Sequence, residues 1–525
     1  MPAPAVTIDE APLSPRDVVL VARHAERVLI SERVGPRLAA SRAVVEAALG
    51  DGLPHYGINT GFGSLSRRRI ASAELALLQR NLVRSHAAGV LDPLPTEVVR
   101  GMMLLLAASL ARGCSGVRPI VVDTIVQMLN AGVTPVVPSV GSVGASGDLA
   151  PLAAVGLALI GEGHCTTRNA DLARSTAEAM AQAGITPLSL EAKEGLALIN
   201  GTHLMAARGA IAVHDAERSL DAALLAAAMS LDACRGTDAS LDARIHAARG
   251  QPGQIHVAAA LRRLLGDSQI IPSHREDDPR VQDPYSLRCT PQVVGAALDA
   301  VGYVAAAVAR ELGAVTDNPL VFAPSHPLNT MLGENPSDLP GGGESIVSGG
   351  NFHGMALAIP LDVMCIALSH VAGISERRVF WMISAFDAES RLKPYLAANP
   401  GLDSGLMIAQ YTAAACCNEM ITLCTPASVS NISTSAGIED YNSFGPRAAA
   451  KASRTIDLLD RVIAVELLAA AEGLEAHRPL RSGSAVEAAH ALIRSHSPRL
   501  TGDRPLTPDI EAIASCIRQG AFSNG

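Results

Sequence analysis

Three stretches limit the fold more than any other feature: residues 202–235, 293–312 and 456–471 are dominated by Ala, Leu, Val and Met, with polar residues only at intervals. Such runs exceed any β-strand and lack its two-residue alternation, so they read as helices. Helices that are apolar nearly all round must be covered on most sides, by other helices or by other subunits. Aromatic residues make up only 3% of the 525 and hydrophobic ones 48%. Packing therefore falls to small and branched aliphatic side chains, which let helix axes approach closely. The expectation is a mainly α protein with a long central helical bundle and a large surface for self-association.

The front of the chain reads differently. Residues 1–200 mix loops with short elements and form one expected domain, and residues 201–525 form the bundle and a C-terminal helical region. Ser14-Pro15 opens a capped amphipathic helix, and glycine-rich loops follow at 56–63 and 141–147. Between those loops, 75–88 and 102–110 read as helices. Residues 323–350, rich in Pro, Gly, Ser and Asn, form a long loop of the kind that tends to be functional. The apolar run 355–373 is interrupted by Asp362 and His370, which marks a buried helix and not a membrane span. With 42 basic against 51 acidic residues, a net charge of −9, no polycationic surface is available for nucleic acid or anionic lipid. Nine cysteines without C-x-x-C pairs, in a chain too large to need disulfides, and an N-terminus lacking a basic segment followed by an apolar run lead to the expectation of a cytoplasmic protein.

Common chemistries fail on their residues. YGINTGFG (56–63) lacks the spacing and the strand–helix setting of a dinucleotide fingerprint; its glycines suggest a tight loop presenting Tyr56 and Asn59 to a cavity. No P-loop is present, and no H-x-x-x-H pair stands beside a carboxylate to hold zinc. The string 144–148, GASGD, misses the nucleophile elbow by one residue. Only Lys193, Lys393 and Lys451 could form a Schiff base, and none lies in a phosphate cradle. No pyridoxal phosphate, nucleotide or metal is therefore expected. GSVGASGDLAPLA (141–153) keeps two readings. It is a loop ending in an N-cap, with Ser146 or Asp148 accepting from the next helix, or it is a turn that reacts with itself. In the second, the Gly147 nitrogen attacks the Ala145 carbonyl and Ser146 loses its hydroxyl, leaving a 4-methylidene-imidazol-5-one (MIO).

In its full setting the string resembles the signature of the aromatic amino acid ammonia-lyases, which include the histidine, phenylalanine and tyrosine lyases and related aminomutases. Further blocks follow in the family's order: YGINTGFG, NLVRSHAAG, ALINGTH, VQDPYSLRC, TDNPLVF, SGGNFHG and TSAGIED. The resemblance implies a mainly helical protein of fumarase/aspartase-like architecture, with an MIO-bearing, loop-rich N-terminal domain. It implies a homotetramer whose active sites are each built from three chains. The implied reaction is non-oxidative elimination of ammonia from an aromatic amino acid, with MIO made from Ala145, Ser146 and Gly147 as the electrophile.

By the same resemblance Tyr56 is the base for the β-proton, and Tyr285 joins the catalytic set. Arg288 grips the substrate carboxylate, a task suited to a guanidinium fork. Asn200, Gln282 and Phe352 line the substrate or the ring. His86, after Ser85, and Glu439 occupy positions where histidine lyases carry the same residues, and a carboxylate beside an imidazole is physically apt. The expected substrate is histidine, giving urocanate. Several residues depart from the histidine pattern: Gly437-Ile438 before Glu439, Asn442-Ser443-Phe444, His203, Glu389 and the long 323–350 loop. An added acid suits a modified or cationic histidine, such as a betaine. Another aromatic substrate, or a 2,3-aminomutase, is the alternative within this chemistry. A non-catalytic binding or assembly relative would lack a catalytic group, whereas Tyr56, Ser146, Asn200, Arg288 and Glu439 are all present.

Overall fold

The computed structural model describes residues 5–61, 63, 67–168, 170–276, 278–331 and 344–523. Residues 332–343 of the expected long loop, and Phe62 of YGINTGFG, lie outside the described residues. The chain is mainly α. The three limiting stretches are helices His203–Ala233, Thr290–Glu311 and part of Gly445–Glu475. At the front, Ser14 and Asp17 form a reciprocal capping box that starts helix Pro15–Arg23, satisfying two amide donors that helix geometry leaves free.

By contacts the chain divides into two compact units with limits other than 1–200 and 201–525. The first comprises Met1–Ile211, Ala305–Leu361 and Ala427–Ala450; the second comprises Ala212–Val304, Asp362–Pro426 and Lys451–Gly525. Two later segments thus return to the N-terminal part, because the loops they carry find their backbone partners there.

Every strand among the described residues belongs to the first unit. Ala5–Ile8 pairs parallel with Arg27–Ile30, and Val90–Pro93 pairs antiparallel with Pro138–Val140. Leu320–Val321 pairs with Ile346–Val347, and Thr134–Pro135, His164–Thr167 and Ala170–Ser175 make a three-stranded sheet. The core of this unit is helix Thr96–Leu110, in which every residue from 98 to 110 is buried. Its Arg100 donates to Val21 O at 3.0 and 2.9 Å and to Leu129 O at 3.1 Å. One buried cation therefore caps the C-terminal, negative ends of helices Pro15–Arg23 and Pro119–Ala131. Burial lowers its pKa to about 10, which leaves it charged at neutral pH.

The second unit is helical and carries a fully buried ion pair. Arg378 Nη2 lies 2.8 Å from Glu466 Oε2, and Glu466 also accepts from Ser230 Oγ at 2.7 Å and Ser375 Oγ at 2.5 Å. Saturating both carboxylate oxygens is what makes such a pair tolerable in a core. Elsewhere this unit leaves apolar surface uncovered. Helix Met407–Leu423 buries only Ala409, Ala413 and Met420, while Ile408, Tyr411 and Ile421 are 59–66% exposed. Two helices, Thr290–Glu311 and Met355–Ser384, are long and apolar enough to cross a membrane. In the second, 67% of the most apolar window is buried within the protein, as the reading of 355–373 as a core helix expects.

Candidate active site

The 141–147 turn is held from two sides within the first unit. Phe444 N donates to Val143 O at 2.9 Å, and Gly144 O accepts from Ser443 Oγ at 2.8 Å and from Gly354 N at 3.3 Å. Gly144 adopts φ +69°, and a Cβ there would sit 2.2 Å from Ser443 Oγ. Gly147 adopts φ +74°, and a Cβ there would meet Gly201 O at 2.1 Å. Both glycines are thus required by backbone conformation and by space. Asp148 N donates to Gly201 O at 2.7 Å, zipping the end of the turn to the strand-like residue beside Asn200.

Asp148 corrects the simple N-cap reading of this string. Its side chain makes no cap bond to the helix that follows, Leu149–Leu159. Instead Oδ2 accepts from Leu204 N at 2.9 Å and Met205 N at 3.2 Å, and Oδ1 accepts from Ser142 Oγ at 3.1 Å. Asp148 therefore caps a helix start far away in sequence. Complete burial pushes its carboxyl up to about 7, against the pull of those hydrogen bonds.

Ser146 faces a cavity of about 700 Å³ lined by Tyr56, His86, Ala145, Ser146, Asn200, Phe352 and Glu439, among others. Ser146 Oγ donates to Glu439 Oε1 at 2.7 Å. Glu439 Oε2 accepts from Thr434 Oγ1 at 3.0 Å, and Thr434 N donates to Glu439 O at 2.9 Å. The loop between them runs left-handed at Ser435, Ala436 and Gly437, with φ of 51°, 53° and 87°. Two non-glycine residues in that region mark a loop whose shape its surroundings impose.

His86 ends helix Leu75–His86. Its Nδ1 lies 2.8 Å from Leu82 O, and a carbonyl can only accept, so Nδ1 donates to it. Tyr56 OH accepts from Gly63 N at 3.4 Å. Asn200 Nδ2 donates to Asn318 O at 3.2 Å, while its buried Oδ1 has no partner among the described residues.

The structure thus brings Tyr56, His86, Ala145, Ser146, Asn200, Phe352 and Glu439 to one cavity, with Gly147 beside it. Gln282, Tyr285 and Arg288 do not line it; they belong to the second unit. There the Arg288 guanidinium lies 4.6 Å from the centre of the Tyr285 ring, and Tyr285 is 70% exposed. Asn59 is a correction: it is buried and spends its amide inside its own loop, donating to Leu53 O at 2.8 Å and accepting from His55 N at 2.7 Å. Glu389 also does not line the cavity. His203 is buried with neither ring nitrogen partnered among the described residues, and burial pushes its pKa down to about 4.

Other lining residues carry no role assigned from the sequence, among them Asp440 and His353. Asp440 adds a second carboxylate. His353 accepts from Met355 N at 3.4 Å, lies 3.2 Å from Tyr441 O and stacks on the Tyr441 ring. Both stand inside blocks that carry the family resemblance, His353 in SGGNFHG and Asp440 in TSAGIED, which is the available signal.

Against known proteins, the sequence model of the aromatic amino acid lyase family matches residues 13–495. A histidine ammonia-lyase of Anaeromyxobacter sp. strain K is 48% identical over 521 residues, 98% of this chain and 99% of the relative. Among solved structures, histidine ammonia-lyase from Trypanosoma cruzi is 38% identical with a TM-score of 0.89, covering 99% of this chain and 94% of that one. Tyrosine aminomutase from Streptomyces globisporus is 32% identical with a TM-score of 0.89, covering 99% and 98%. Sequence blocks, helical fold and near-complete coverage agree: the chain belongs to the aromatic amino acid lyase family and is a carbon–nitrogen lyase.

Proposed function

We propose that the protein eliminates ammonia from L-histidine to give urocanate, using MIO formed by its own Ala145, Ser146 and Gly147. The observation that carries this reading is the meeting of Ser146 with Glu439, at 2.7 Å, in a cavity that also holds His86. A carboxylate that can accept an N–H, with an imidazole nearby, suits the selection of a substrate imidazole. The 48% identical relative named histidine ammonia-lyase supports the same substrate.

The residues at the turn fit the group. Gly147 has no Cβ and sits at φ +74°, so its nitrogen is unhindered; Ala145 is small and buried; Ser146 supplies a β-hydroxyl. When formed, MIO supplies an electrophile that binds the substrate amine and turns it into a leaving group. The chain's own residues do the rest. Glu439 and His86 orient the ring, Tyr56 removes the β-proton, and Asn200 and Phe352 border the reacting end. Gln282, Tyr285 and Arg288 reach a site from another subunit, with Arg288 holding the carboxylate as a planar fork.

That assignment requires a homotetramer with shared sites. The bare apolar side chains of helix Met407–Leu423 support it, since such a surface seeks a partner. A cytoplasmic setting suits nine cysteines of which none forms a disulfide among the described residues. The test is an ultraviolet assay of the purified protein against histidine, phenylalanine, tyrosine and histidine betaines, with intact-mass measurement of the chain. The expected result is urocanate from histidine and a chain lighter by two waters. A β-amino acid product would indicate a mutase instead, and a full-mass chain would defeat the reading.

A further inference from the structure

The segment from Lys193 to Asn200 is fastened at both ends to two adjacent residues of the same unit. Helix Glu194–Ile199 starts after Lys193, a fully buried residue at φ +75°, whose Nζ lies 2.6 Å from Asp317 Oδ2. The helix ends at Asn200, whose Nδ2 donates to Asn318 O at 3.2 Å. Asp317 Oδ1 accepts from Asn318 N at 2.6 Å, and Asn318 Oδ1 accepts from Gly349 N at 2.8 Å. These contacts close a ring around a short helix whose Leu196 and Ile199 line the cavity beside Asn200 and Asn318.

The lysine is not there to start the helix. A cation is the wrong charge for a helix N-terminus, and the amides of Gly195 and Leu196 are already taken by Gln79 Oε1 at 2.8 and 3.3 Å. A left-handed non-glycine residue and a buried cation are each unfavourable taken alone. What the pair achieves lies at the far end of the ring. Because Asn318 O can only accept, it fixes which way the Asn200 amide points, and Oδ1 is left buried and unpartnered among the described residues.

We propose that Lys193 and Asp317 are a positioning pair: they hold Asn318 in place and, through it, keep the Asn200 Oδ1 aimed and free to accept an N–H of the bound amino acid. The pair touches no substrate itself. This inference rests on the lyase reading above.

The test is a double-mutant cycle between Asp317→Asn and Asn200→Ala in the full-length protein. Asp317→Asn removes one charge while keeping the side chain's size and an oxygen for Asn318 N. The expected result is a loss in kcat/KM of roughly tenfold to a hundredfold, the scale of a small misplacement at a reacting centre, with elution volume and the two-water mass deficit unchanged. In the Asn200→Ala background the same substitution should have no further effect, a non-additivity that a merely structural role would not produce. Lys193→Met should behave likewise. Full turnover of Asp317→Asn, or losses that multiply in the double variant, would overturn the proposal. Failure of both Lys193→Met and Asp317→Asn to fold and assemble would also overturn it, by marking the pair as structural. A wild-type protein with full mass and no turnover would instead remove the lyase reading.

Discussion

Ser146 is one hydroxyl among many in the sequence, and only its neighbours make it special. Replacing it by Ala should leave a full-mass chain that elutes as wild type and turns over no substrate; activity in the purified variant would refute the electrophile. His86→Leu should cost more activity on imidazole than on phenyl substrates, measured as the ratio of the two kcat/KM values, and an unchanged ratio removes His86 from selectivity. His203 gives a pH prediction. Its folded pKa, about 4, lies below the ordinary 6.5, so the stability it contributes is fully present above pH 6.5 and lost as pH falls toward 4. The loss is on the order of 3 kcal/mol at the lower end. His203→Gln should therefore flatten the decline of Tm over that window, and parallel Tm curves would exclude His203 as the cause. Much of the cavity lining was legible at this scale, but through whole blocks of sequence and not through spacing. Nothing local says that Ser146 meets a carboxylate 293 positions later. Asn59 misled because a short amide competes for its own loop's backbone, and a motif does not record which partner wins.

Elements were legible wherever one rule governs them. The capping box at Ser14 is local, and helix Pro15–Arg23 starts where it says. Ser14→Ala should cost about 1 kcal/mol, read as a lower Tm with unchanged turnover, since the cap is far in sequence from any residue of the cavity. The long apolar stretches likewise became helices, because no other backbone arrangement satisfies so many amides among aliphatic side chains. Illegibility began where a group left its own element. Asp148 skips the helix it precedes and caps His203–Ala233, a choice made by tertiary proximity that no local capping rule contains. The left-handed run at 435–437 was equally invisible, since two of its three residues are not glycine and only the packed loop imposes those angles.

At the scale of the whole molecule, surplus apolar surface could be anticipated from composition, because 48% hydrophobic residues with helices greasy on every side leave more to cover than one chain can. Which residues would be left bare could not, and Ile408, Tyr411 and Ile421 of helix Met407–Leu423 are among them. Ile421→Asp should weaken assembly, seen as smaller species by light scattering and as specific activity that rises with protein concentration; a concentration-independent activity would detach this helix from assembly. The proposed sharing of sites between chains makes a sharper forecast. Tyr56→Phe and Arg288→Lys should each be nearly inactive alone, yet co-expression should restore part of the turnover, as some sites then draw both intact residues from different chains. No restoration would confine each site to one subunit. Finally, the backbone bridge between Gly147 and Gly201 has a temporal consequence. Residues more than fifty positions apart must meet before the tight bend exists, so a nascent or misfolded polypeptide carries nothing but an inert serine. On the proposed function, the reactive alkene is thereby withheld until synthesis has passed that point and native structure has formed, making correct folding its licence.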